Sequence, residues 1–307
     1  MKQLTIPPGV AGSQTTAAQA MLAAMAIIGI SDNAVPLMAE QIGIWQFYFL
    51  RTVITLPLIW VMMRAGLGRL RPQRLGPVAL RGFLVAVSMV FYFSAVALMP
   101  LAQALAGLFT SPILIVLISV LFLKHRIGPV RIGAAVLGFV GVLCVLQPDL
   151  SDFDWLILLP VCGGLFYALG SMATGLMCRG ESTVSMLFAM LLAQAVIGAV
   201  ALGGLAIWPL PVAEGADGFV TRGWVWPVWE ISHWLLLQGM ASVVGVFLIT
   251  KAYQQGEASY VAVFEYSVII VGPAFAWLVF GQTLDLLQMA GIGLIVLAGA
   301  TLALRGS

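Results

Sequence analysis

Charged side chains are scarce in this chain: 8% of its 307 residues are Asp, Glu, Lys or Arg, against 62% hydrophobic. A water-soluble domain of this size has nowhere to hide so much apolar surface, so the composition excludes a soluble fold. Histidine is scarcer still. The two copies, His125 and His233, fall in gaps expected at opposite faces of a membrane and cannot share a metal or a catalytic triad. No His-Glu-x-x-His pair, Gly-x-Ser-Gly serine, Gly-x-Gly-Asp aspartate or P-loop occurs, which leaves intramembrane hydrolysis and nucleotide-driven pumping without their usual chemistry. Cys144, Cys162 and Cys178 have neither Cys-x-x-Cys nor zinc-finger spacing, so no metal and no cofactor are expected. The net charge of +2 comes without any basic run interleaved with aromatics, and no nucleic-acid partner is expected.

Long apolar runs make up the rest, and the mean hydropathy is +1.07. A helix needs about 20 apolar residues to cross a hydrocarbon core of roughly 30 Å. Such stretches lie near 17–38, 42–64, 76–98, 101–123, 130–147, 155–177, 183–208, 232–252, 260–280 and 286–304. They are continuously apolar, whereas strands of a membrane barrel alternate over about ten residues, so helices are expected. Residues 1–16 carry one lysine, with no compact apolar core and no cleavage site. They are read as a short flexible tail rather than a signal peptide.

Charge orients the spans. Lys2, Arg64, Arg69, Arg71, Arg74, Arg81, Lys124, Arg126, Arg131, Arg179, Lys251 and Arg305 share one side, and Arg222 alone stands on the other. The positive-inside rule makes the first side cytoplasmic, with both termini there. Trp45, Trp155, Trp208, Trp234 and Trp277 near the outer ends and Trp60 near an inner end read as interfacial belts. The loop Pro209–Ile231 is expected to lie in the outer interface. Gly164 with Ala168, and Ala241 with Gly245, have the four-residue spacing of close helix packing.

An internal repeat divides the chain. Phe122, Gly133 and Gly141 match Phe280, Gly291 and Gly299 at one offset, and the stretch 97–104 matches 252–259 at nearly the same one. Two halves are implied, 17–147 and 155–304, each of five spans. Five is odd, so the second half is inverted relative to the first, the architecture that supports alternating access. The fold expected is therefore an all-α polytopic membrane protein, ten transmembrane helices in two inverted five-helix repeats.

Four features are shared with a known group: Phe47-Tyr48-Phe49-Leu50-Arg51 in span 2, Ala-Leu-Met-Pro-Leu-Ala-Gln-Ala over 97–104, Ser111-Pro112 in span 4, and a glycine-rich last helix in each half. Over 17–304 the chain resembles the drug/metabolite transporter superfamily in its ten-span form with two EamA-type halves. Within that group it is most similar to bacterial YddG-type exporters of aromatic and other amino acids. It departs from the common pattern at Lys124-His125-Arg126, where a glutamate often stands, and in span 9, with Glu265-Tyr266-Ser267 early and Pro273 late. The resemblance implies export of small metabolites across a bacterial inner membrane, with amino acids the first candidates and cationic drugs or other metabolites the alternative.

Polar residues inside spans are costly unless they face a cavity or a partner, which makes them the site candidates. Asp32 and Asn33 interrupt span 1, with Pro36 one turn on. Arg51 lies at similar depth and is read as a structural ion-pair partner of Asp32. Glu265 in span 9 is the second carboxylate, with Lys251 as its alternative partner. Asp32 and Glu265 are the candidates for a coupling proton. Ser88, Tyr92, Gln103, Thr110, Tyr167, Ser171, Ser242 and Tyr266 supply hydrogen-bonding and aromatic walls for a substrate, although any one helical hydroxyl can equally bond its own backbone. Arg51 is the one basic residue expected deep in a span, which argues against phosphorylated substrates. A channel-like pore is the rival reading. The partners expected are a small molecule and the lipid bilayer, and the chain is read as a working monomer with a dimer as the alternative.

Overall fold

A computed structural model describes residues 8–32, 34–99, 101–124, 127–148, 155–271 and 285–305. Among them the regular elements are all helical: α1 (Pro8–Ser31), α2 (Ala34–Ala39), α3 (Ile44–Arg64), α4 (Leu75–Leu98), α5 (Leu101–Leu108), α6 (Ser111–Leu121), α7 (Pro129–Leu146), α8 (Leu158–Met177), α9 (Thr183–Ile207), α10 (Ser232–Gln255), α11 (Ala258–Val261) and α12 (Leu286–Arg305). Nine helical stretches among the described residues are long and apolar enough to cross a bilayer. The tenth expected span, 260–280, begins in the apolar stretch Ala258–Val271 and runs into residues 272–284, which lie outside the described residues, as does Trp277.

Three spans are not continuous, and sequence chemistry explains where they break. Span 1 stops at Ser31; the Asp32 N–H still bonds the Ile28 carbonyl at 2.9 Å, and α2 restarts with Val35 donating to the Asp32 carbonyl at 3.0 Å. Pro36 then occupies the first turn of α2, where a missing N–H costs nothing. Span 4 is split into α5 and α6 where Pro112, in the first turn of α6, has no N–H to donate to the preceding turn. The Thr110 hydroxyl covers the break by donating to the Gly107 carbonyl at 2.7 Å. Span 9 opens with α11 and then tightens into a 3-10 segment, Ala262–Ser267. Spans 4 and 9 occupy equivalent places in the two halves, and both are irregular.

The pairing of helices follows the repeat. The most extensive packing joins α7 with α12, α4 with α8, α1 with α10 and α3 with α9. Exchanging the halves turns span 3 against span 6 into span 8 against span 1, and maps the pairs of spans 2 with 7 and 5 with 10 onto themselves. Such pairing is what an inverted two-fold repeat requires. At the centre of the α7–α12 contact, a Cβ on Gly141 would stand 2.7 Å from the Gly291 carbonyl oxygen, and one on Gly291 the same distance from that of Gly141. Only glycine admits this approach.

The two ends differ. At the arginine-rich end Glu181 accepts from the Gln73 and Arg74 backbone N–H groups at 2.8 Å each and pairs with the Arg74 side chain at 3.4 Å. Gln254 ties α10 to the α8–α9 turn through the Glu181 carbonyl at 2.8 Å and the Thr183 hydroxyl at 2.8 Å. Arg131 pairs with Glu257 at 2.5 Å. Residues 8–16, expected to be a flexible tail, are instead the first turns of α1, and the Glu257 N–H reaches the buried Gln14 side chain at 3.4 Å.

At the opposite end the loop 209–231 is pinned to the ends of α2 and α3. Trp45 Nε1 donates to the Val220 carbonyl at 2.7 Å, Gln46 and Val225 exchange bonds of 2.8 and 2.9 Å, and Arg222 donates to the Ala39 and Ile42 carbonyls at 2.9 and 3.2 Å. Its own Phe219 is buried, while Trp208, Trp226 and Trp229 stay exposed. Asp285 caps α12 reciprocally with Gln288, through bonds of 2.7 and 3.1 Å, and also accepts from Gln147 at 2.8 Å. The Gln288 N–H and the Gln147 amide hold its carboxyl below the usual carboxylate range.

Candidate functional site

The broken spans meet around a central cavity of about 310 Å³. Its walls come from both halves: α1 with the Asp32 turn, α3, α4, α5, α8, α9, α10 and the span 9 segment. Most of the lining is apolar, including Met25, Val85, Met89, Phe109, Met190, Val246 and Ile249. A few polar groups converge on it from opposite ends, as is usual for a small-molecule site.

Toward the tryptophan-rich end stand Asp32, Arg51, Gln194 and Gln238. Arg51 is buried, donates from Nη2 to Gln194 Oε1, and lies 5.0 Å from the Phe47 ring centroid and 5.6 Å from that of Tyr48. Because a guanidinium only donates, this bond fixes which Gln194 atom is oxygen and leaves its amide nitrogen as a donor. That nitrogen has no partner, nor do Arg51 Nε, Gln238 Oε1 and the Tyr48 hydroxyl, all buried. An unsatisfied buried polar group costs roughly 1–3 kcal/mol, so a cluster of them beside a cavity marks where a ligand or ordered water would be held. Gln238 and Tyr92 are the other neighbours of Asp32.

Toward the arginine-rich end the cavity reaches Glu265, Tyr167, Ser171, Ser242 and Arg81. Glu265 is 2% exposed, and its Oε1 accepts from the Tyr167 hydroxyl at 3.0 Å and the Tyr253 hydroxyl at 2.6 Å. Arg81 is 3% exposed and is held by neutral acceptors: the Thr174 hydroxyl at 3.1 Å, the Thr250 hydroxyl at 2.9 Å and the Met186 carbonyl at 3.5 Å. Those three bonds occupy its three nitrogens but not its five N–H groups.

Of the residues singled out from sequence, the structure brings Asp32, Tyr92, Tyr167, Ser171, Ser242 and Glu265 to the cavity wall. Asn33 lies outside the described residues. Ser88 is fully buried and donates to the Gly163 carbonyl at 2.8 Å, fastening α4 to α8. The Thr110 hydroxyl is used by its own helix break, and Tyr266 donates to the Ala135 carbonyl at 3.3 Å beneath the Phe109 ring. Gln103 is half-buried away from the cavity wall.

One expected pairing and one alternative pairing are replaced. Asp32 and Arg51 lie within electrostatic reach but form no ion pair, because the guanidinium is turned to Gln194. Lys251 sits 5.6 Å from the Phe247 ring instead of on Glu265, whose oxygen the two tyrosines take. Sequence reasoning missed Gln194 and Gln238, although the cost of a polar group in mid-span that flagged Asp32 applies equally to them. It also counted Arg81 among the flanking charges, whereas α4 begins at Leu75 and carries it nearly two turns inward.

A second cavity of about 640 Å³ opens at the arginine-rich end, between Gln14, Ser119, Arg179, Gln254 and Glu257. No cluster of metal-ligating side chains occurs among the described residues.

Comparison with known proteins gives one family and several relatives. A model of the EamA-like transporter family matches residues 15–147 and 154–304. A riboflavin transporter of Rhizobium johnstonii is 30% identical over 237 residues, 77% of this chain and 72% of that protein. A pseudopaline exporter of Pseudomonas aeruginosa is 28% identical over 254 residues, 82% of this chain and 84% of that protein. One solved crystal structure superposes with a TM-score of 0.71 over 95% of this chain and 96% of its own at 16% identity, a likeness of fold. These relatives carry cargo names other than aromatic amino acids, so the broader resemblance holds and the narrower one to aromatic amino-acid exporters gains nothing from them.

Proposed function

The chain belongs to the EamA-like transporter family, and we propose that it carries small metabolites across the bacterial inner membrane by alternating access through the central cavity, with both termini cytoplasmic. The observation that carries this reading is the set of buried, unpartnered atoms on Arg51, Gln194 and Gln238 at the cavity wall. A purely structural interior would satisfy them. Amino acids are the first substrate class: Asp32 offers a counter-charge for an ammonium, Arg51 one for a carboxylate, and Tyr92 and Phe93 a surface for an apolar or aromatic side chain.

A second reading rests on the riboflavin-transporting relative and on the amide atoms themselves. A donor on Gln194 beside an acceptor on Gln238 suits the amide edge of a planar heteroaromatic metabolite. Asp32 and Glu265 are the groups able to hold a coupling proton, and the cavity at the arginine-rich end serves as the cytoplasmic vestibule. The irregular spans 1, 4 and 9 are where the halves would bend.

Counterflow in proteoliposomes tests the proposal. Labelled phenylalanine, tryptophan, threonine, methionine and riboflavin are each offered with and without an imposed pH gradient. Saturable exchange that unlabelled compound competes away is expected for at least one of them. Exchange of riboflavin alone would favour the second reading, and linear, non-saturable flux would point to a channel-like pore.

A further inference from the structure

The central cavity has two polar ends, and helix geometry measures the distance between them. Along α4, Arg81 and Tyr92 both line it, eleven residues apart, which is about 16 Å at 1.5 Å per residue. Along α10, Gln238 and Ile249 repeat the same interval, about 16 Å. Val85 and Met89 on α4 and Val246 on α10 face the cavity between. A volume of about 310 Å³ drawn out over such a length is slender.

The two ends have the same composition. One holds the Asp32 carboxyl and the Arg51 guanidinium, the other the Glu265 carboxyl and the Arg81 guanidinium. Neither guanidinium is spent on a carboxylate: Arg51 is bonded to an amide, Arg81 to two hydroxyls and a carbonyl. Each end therefore presents a negative and a positive group to whatever lies in the cavity, the complement of an ammonium and a carboxylate on one carbon. A single amino-acid head can occupy one such end and leaves the other vacant.

We propose that the substrate is an elongated metabolite bearing an amine-and-acid head at each end, joined by a slender apolar linker, and that it bridges both stations at once. This rests on the reading of the chain as a small-metabolite carrier and narrows its substrate class.

The test is equilibrium binding of labelled cystathionine, which has two such heads joined through a thioether, and of labelled methionine, which has one, to the purified full chain in nanodiscs. Cystathionine is expected to bind at least tenfold more tightly. Asp32→Asn and, separately, Glu265→Gln should bring it within about twofold of methionine, with thermal melting confirming that both variants are folded. Equal binding of the two compounds by the wild-type chain, or binding of neither, would overturn the inference. An advantage that survives both substitutions would overturn it as well. The carrier reading is judged separately by counterflow: exchange of any labelled metabolite upholds it whatever the binding ratio, and absence of all exchange would sink it.

Discussion

Arg51 and Gln194 hold one another in place, and each is left with an N–H unspent. Removing the acceptor strands a buried guanidinium, and a hydrogen bond to a charged group contributes about 1.5–3 kcal/mol. Gln194→Leu is therefore expected to destabilise the fold by that order, read as a lower melting temperature, and to cut counterflow at least tenfold; an unchanged melt would mean that Arg51 finds another partner. Glu265 behaves differently under substitution. The oxygen that takes both tyrosine hydroxyls survives in glutamine, so Glu265→Gln should fold normally while losing any gain from an imposed pH gradient. Gradient dependence that persists both there and in Asp32→Asn would remove these carboxylates as proton carriers. Asp32 and Glu265 were legible in the sequence because a charge in an apolar run is conspicuous. Gln194 and Gln238 were not, since an uncharged amide stands out less among apolar neighbours, and which amide atoms lack partners depends on how helices from both halves meet.

Helices are held to one another here by shape more than by aversion to water, since the surrounding lipid is itself apolar. The sequence repeat aligns Gly133 with Gly291 and Gly141 with Gly299 as equivalents, yet the packing treats them unequally. Gly141 and Gly291 touch backbone to backbone, whereas a Cβ on Gly133 would meet nothing within 4 Å. Gly141→Val is expected to destabilise by about 1–3 kcal/mol through overpacking, and Gly133→Ala to be neutral, both read by thermal unfolding. Equal effects would contradict the close α7–α12 approach. Element boundaries followed the apolar runs because helix length is set by the bilayer. Breaks at Asp32 and before Pro112 were signalled by their own residues, while the 3-10 segment Ala262–Ser267 has no proline or glycine to announce it. The role of Arg81 was hidden by the same limit: its distance from a helix start, not its residue type, separates a flanking charge from a buried one.

At the scale of the whole molecule, two inverted halves enclose one cavity that neither could form alone. Asp32, Arg51 and Arg81 come from the first half, Gln194, Gln238 and Glu265 from the second. A loop pinned by Trp45, Gln46 and Arg222 covers one end, and Gln254 and Glu181 tie the helices together at the other. Under the alternating access proposed above, movement of substrate would require these two sets of bonds to be broken in alternation. The most direct measurement is a cryo-electron microscopy structure of the full chain in nanodiscs with a compound shown by counterflow to be transported. Density in the central cavity, touching Arg51, Gln194 and Gln238, is the result this account predicts. Density confined to the cavity between Gln14 and Glu257, or at the lipid-facing surface, would contradict it.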